Sequence, residues 1–155
     1  MPTQLLTGLL SVALLAPLAV HDPTDGMAAL HEQLLDALDR EDSSALKSLL
    51  SDSPTLFVLD ENAEPVLLTG SLAVDNYVSL WARDIEDPVP TKLLSCSVVS
   101  QGPTATVVVF EFERPMTSDE LFRATSILVA ANETNGSARR IQHLHVSPAS
   151  RLDLE

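Results

Sequence analysis

Met27, Leu30, Leu34 and Leu38 recur at steps of three and four residues, while Glu32, Asp36, Asp39 and Arg40 fall mostly elsewhere. That spacing predicts an amphipathic helix of about four turns, capped by Thr24 or Asp25. Asp42 and Ser43 offer a second cap. Ala45, Leu46, Leu49 and Leu50 then line one side of a shorter helix, which Pro54 is expected to stop. The period changes after that. Residues 55–60 and 65–69 are apolar and β-prone, and the polar stretch 61–64 between them reads as the turn of a hairpin. Gly70 and Ser71 open a third helix with Val74, Tyr77, Val78 and Trp81 on one face.

Beyond a proline-bearing loop at 84–90, the remaining runs are strand-like: 93–100, 104–114, 120–131 and 139–146. Gln101-Gly102-Pro103 separates the first two, and Asn135-Gly136 marks a hairpin before the last. The order α-α-β-β-α-β-β-β-β predicts an α+β fold. Three helices pack on the concave side of a strongly bent, cone-shaped antiparallel sheet.

The first twenty residues carry no charged side chain, and Asp22, Pro23, Asp25 and Gly26 end the apolar stretch. Two readings apply: an export signal, or an apolar helix packed on the domain or on a partner. Export would place the protein in the periplasm or outside the cell; otherwise it is cytoplasmic. The stretch is short for a membrane span and Pro17 interrupts it. The chain therefore divides into an apolar segment at 1–20, a domain at 21–148 and a tail at 149–155.

Charge narrows the partners. Of 155 residues, 22 are acidic and 9 basic, a formal net charge of −13. Such a chain repels nucleic-acid phosphates and anionic lipid. With one cysteine, Cys96, neither an internal disulfide nor a multi-cysteine zinc site can form. No phosphate loop, dinucleotide fingerprint, nucleophile elbow or zinc-protease motif is present, and no cofactor or metal is implied.

His143 and His145 sit two apart in the last predicted strand, which puts both on one face alongside Ile141. They can act as a general base or as polar positions of the sheet or of a subunit interface; metal binding needs a third ligand from elsewhere. Tyr77 and Trp81, the only Tyr and Trp, lie one turn apart on the face turned toward the sheet. Tyr77 with Asp60 is the sharpest acid/base constellation, against a packing role for both aromatics. Glu111 and Glu113 alternate with Phe110 and Phe112, and Arg123 on the next strand is expected to form a cross-strand ion pair. Val107 and Val109 share the Glu111 face, which makes part of the outer sheet surface apolar and suited to a partner. Asn132-Glu133-Thr134 and Asn135-Gly136-Ser137 fit the glycosylation sequon.

Three stretches carry a family resemblance. Leu38-Asp39-Arg40-Glu41-Asp42 with Ala45-Leu46 and Leu49-Leu50 resembles the opening motif of the nuclear transport factor 2-like superfamily. Gly70 and the helix 71–81 resemble the segment after its first hairpin. Ile141-Gln142-His143-Leu144-His145-Val146-Ser147 resembles the closing strand of its SnoaL-like and calcium/calmodulin-dependent kinase II association-domain-like branches. The usual Trp of that strand is replaced near Arg139-Arg140, and Arg123 is the only candidate for the Arg of the penultimate strand. The resemblance implies a cystatin-like, ketosteroid-isomerase-like roll with an apolar pocket, and a homodimer. It also implies a small apolar ligand contacted by Tyr77, Trp81, Arg123, His143 or His145. The implied function is a non-enzymatic binding or association domain. The alternative is an isomerase, cyclase or dehydratase acting on a small apolar carbonyl compound with Asp60, Tyr77, His143 or His145 as catalytic candidates. Fold alone does not choose between them.

Overall fold

The computed structural model describes residues 23–60, 62, 64–82, 89–115, 119–130 and 139–149. The apolar segment at 1–20, most of the tail and both sequons lie outside the described residues. Within them the element order is α1 (Pro23–Asp39), α2 (Ser43–Leu49), β1 (Leu50–Leu59), β2 (Pro65–Thr69), α3 (Ala73–Trp81), β3 (Lys92–Gln101), β4 (Ala105–Pro115), β5 (Asp119–Ala130) and β6 (Arg139–Pro148). The six strands form one curved, unclosed sheet in the order β2-β1-β6-β5-β4-β3. The expected α+β architecture is present.

The sheet is mixed rather than antiparallel. β3 to β6 form an antiparallel meander and β1 pairs β2 as a hairpin, but β1 and β6 run parallel. The hairpin and the meander are separated in sequence by α3, so nothing local fixes the direction in which their edges meet.

Local chemistry explains the helix ends. Asp42 caps α2, its side chain accepting from the Ala45 backbone N–H at 2.9 Å. Gly70 takes the left-handed conformation (φ 82°) on entry to α3, where a Cβ is disfavoured. Pro54 does not stop α2, which ends at Leu49. It lies buried inside β1, in the gap between Leu50↔Ile141 and Thr55↔His143 where the ladder to β6 is interrupted. A proline has no N–H to give, so that interruption is where the strand tolerates it.

The inner face of the sheet and the helices share one core. Phe110, Phe112, Leu128, Ile141 and Leu144 from the sheet meet Leu34, Leu38, Leu46, Val74 and Tyr77 from the helices. α1 packs on β3, whereas α3 lies over β1 and β2 and reaches β4 through its C-terminal Trp81, whose ring stands 5.9 Å from that of Phe112.

Candidate functional site

Three regions carry polar or apolar groups in arrangements that packing alone does not require. The first lies under the middle of α1. His31 is fully buried, its ring 4.3 Å from that of Phe110. Nδ1 is 2.7 Å from the Met27 carbonyl oxygen and Nε2 is 2.7 Å from the Ser126 hydroxyl. A carbonyl only accepts, so Nδ1 carries the proton. Burial holds the imidazole below its ordinary pKa and hence neutral, and the Ser126 hydroxyl donates to Nε2. Cys96 Sγ stands 4.0 Å from Nδ1, and burial pushes its thiol up, which keeps it protonated and inert. Ser126 has no accessible surface, so this hydroxyl–imidazole pair is closed to any substrate.

The pair has a consequence for stability. A histidine whose pKa is lowered by folding binds its proton more readily in the unfolded chain. The stability it leaves intact above the unfolded value of 6.5 is lost as pH falls from there toward the depressed folded value. The limiting slope is about 1.4 kcal/mol per pH unit. Urea unfolding of His31→Gln beside the wild type, at neutral and mildly acid pH, should show a flatter pH dependence in the variant. Equal slopes would assign the acid loss to other groups.

The second region is the junction where α1 and α3 end. Asp39 accepts from Trp81 Nε1 at 3.0 Å, from the Thr91 backbone N–H at 2.5 Å and from Thr91 Oγ1 at 2.8 Å. The Arg114 guanidinium lies 4.1 Å over the Trp81 ring and donates to the Trp81 carbonyl oxygen. Tyr77 stacks edge-on against Trp81 at 5.9 Å, and its hydroxyl makes no hydrogen bond among the described residues. Burial raises the Tyr77 phenol above its ordinary range, opposed by the charge of Arg114. A groove of about 720 Å³ opens beside this junction, between α1 at Leu35 and Asp36 and the chain from Val89 to Leu93.

The third region is the outer face of the sheet. Cross-strand register places Ser97, Val109, Thr125, His145, Phe57 and Leu67 in one row. Ser100, Val107, Ile127, His143, Thr55 and Thr69 form the next. Leu67 is 60% exposed, and Val107, Val109, Ile127 and Phe57 are partly exposed. Arg123 and Glu111 pair on this face, as the sequence predicts. Arg123 Nη2 and Nε donate to one carboxylate oxygen at 2.8 and 3.0 Å, and Ser95 donates to the other at 3.2 Å.

The sequence-derived candidates do not converge. Tyr77 and Trp81 face the core, 2% and 6% exposed. The apolar pocket that the resemblance implies is not open on the inner face of β5 and β6: Ser126, Leu128 and Ile141 have no accessible surface and Leu144 has 1%. Asp60 does not join Tyr77, because its Oδ1 accepts from the Asn62 and Glu64 backbone N–H groups in the β1–β2 turn. His143 and His145 share a face with each other but not with Ile141. β6 carries one extra residue at Gln142, between Leu128↔Ile141 and Ile127↔His143. That bulge turns Ile141, Leu144 and Val146 inward and both histidines outward. His31 and Ser126 were missed. The signal was present, since position 31 is four residues after Met27 and three before Leu34, on the buried stripe.

No family model and no curated protein matches the sequence. Solved structures do. The hub of calcium/calmodulin-dependent kinase II from S. rosetta superposes with a TM-score of 0.64 at 16% identity, over 83% of this chain and 98% of that one. The association domain of the C. elegans kinase gives 0.61 at 17%, over 79% and 93%. A nuclear transport factor 2-like protein of unknown function from Pseudomonas putida gives 0.62 at 13%, over 84% and 89%. The fold is nuclear transport factor 2-like. At these identities the likeness shows the fold alone. Within that fold the outer sheet face is the surface that the described residues leave uncovered, and the inner face is taken up by the core.

Proposed function

We propose that this chain is an assembly module that pairs with a second copy through the outer face of its sheet. The observation that carries this reading is the apolar cluster of Val107, Val109 and Ile127, partly exposed within two rows of Ser, Thr and His on strands whose other side is core. Five strands of ten to twelve residues and the five-residue β2, about 4.8 Å apart, present on the order of 800 Å², the area one partner contributes to a stable interface. The charges in the Glu111 row neutralise each other. Two such faces therefore meet without the repulsion that a net charge of −13 imposes elsewhere on the molecule. The likeness to a hub and to an association domain points the same way.

The isomerase, cyclase or dehydratase reading needs a base beside Tyr77. Asp60 is engaged in a turn and the two histidines lie across the sheet, so that reading has lost its acid/base pair.

Ile127→Asp places a carboxylate in the middle of the face without touching the core. It should raise the dimer dissociation constant about 30-fold, roughly 2 kcal/mol. Sedimentation velocity of the two proteins reads this directly, and equal association of both would remove the outer face from the interface.

A further inference from the structure

The outer face has a feature that an ordinary apolar interface avoids: two titratable side chains near its centre. β6 is third in a sheet of six strands, and His143 and His145 both project from it on the outer side. We propose that these two histidines make self-association pH-dependent, the face closing on a second copy while they are neutral and opening when they are protonated. The inference rests on the assembly reading above.

The surroundings of each ring are known from every strand beside it. His143 stands between Ile127 of β5 and Thr55 of β1. His145 stands between Thr125 of β5 and Phe57 of β1, whose ring meets it edge-on at 4.8 Å. None of these four neighbours is charged. The helices pack on the other face. Among the described residues the register puts on the outer side Arg123, bonded to Glu111, and Arg140, 3.4 Å from the 97%-exposed Asp52. Glu113 lies two residues beyond Glu111 on β4, away from both rings. No carboxylate among the described residues faces either imidazole.

A two-fold interface is isologous, so each copy brings the same pair and closing the face buries four rings. Neutral, they are amphipathic and tolerate a dry, apolar contact. Protonated, they are like charges that the interface must desolvate without counter-ions. Free imidazole changes charge between about pH 5 and 8, and that window sets the conditions of the test.

Overall charge predicts the opposite trend. Acidification toward the isoelectric point of about 4.4 shrinks the net negative charge and should tighten association. The sign of the pH effect therefore separates the two causes.

The test is sedimentation velocity of the full chain at micromolar concentration and constant ionic strength, from about pH 7.5 to about pH 5.8. The wild type is run beside the double variant His143→Gln/His145→Gln, with near-ultraviolet circular dichroism confirming that both stay folded despite the buried His31. The wild-type dissociation constant should rise about tenfold or more on acidification, and that of the double variant should stay constant or fall. A wild type that holds or tightens its association at the lower pH overturns the inference and leaves the assembly reading standing. So does a double variant that weakens as much as the wild type. A wild type that is monomeric at pH 7.5 overturns both.

Discussion

Replacing Phe110 by alanine should cost about 4 kcal/mol of stability. The ring is 1% exposed on the inner face of β4, against His31 at 4.3 Å and Phe112 at 5.9 Å. Its antiparallel partner on β5 is Ala124, too small to lean into the space a missing ring leaves. The cavity term should therefore add to the lost transfer energy rather than be relieved by collapse. Against a typical domain stability of about 5–15 kcal/mol, a loss of this size removes between roughly a quarter and most of it. Urea denaturation with an unchanged slope is the measurement. A loss below about 1.5 kcal/mol would mean that the inner layer is less closely packed than these contacts state.

The second large effect is expected at Asp39. Its carboxylate accepts from the Trp81 indole and from the Thr91 backbone and hydroxyl, and so ties the ends of α1 and α3 to the start of β3. Hydrogen bonds to a charged acceptor contribute about 1.5–3 kcal/mol each, but Asp39 is half-buried and water can replace part of what is lost. Asp39→Ala should cost about 3 kcal/mol, and Asp39→Asn, which keeps one acceptor oxygen, roughly half of that. Trp81 fluorescence provides an independent signal, because the indole loses its acceptor in the alanine variant. A loss under about 1 kcal/mol would show that the carboxylate is solvated rather than bonded.

Much of the fold is legible in residue spacing, and the exceptions have physical causes. The alternation of Phe110 and Phe112 with Glu111 and Glu113 places the phenylalanines inward and Glu111 against Arg123, as found, because β4 and β5 pair without a register shift. β6 breaks its period once. Its inward residues are Ile141, Leu144 and Val146, a step of three followed by a step of two, and that irregular step is the trace of the bulge at Gln142. Regular alternation through that point puts both histidines on the wrong side. The parallel contact between β1 and β6 leaves no mark on either strand, since the two are joined only by tertiary packing. Pro54 misleads for a related reason: its missing N–H disqualifies it from a regular ladder, and it occupies the interruption of one. His31 lies on the apolar stripe of α1, but spacing alone does not tell a buried polar residue from a surface one. The groups that satisfy it, the Met27 carbonyl and the Ser126 hydroxyl, meet it only once α1 lies on the sheet.

The central claim is that the outer sheet face exists to meet another copy of itself. Sedimentation equilibrium of the wild-type chain at micromolar concentration and neutral pH tests it most directly. The account predicts a species of twice the 16.7 kDa chain mass. A single ideal species at 16.7 kDa across that concentration range would contradict it.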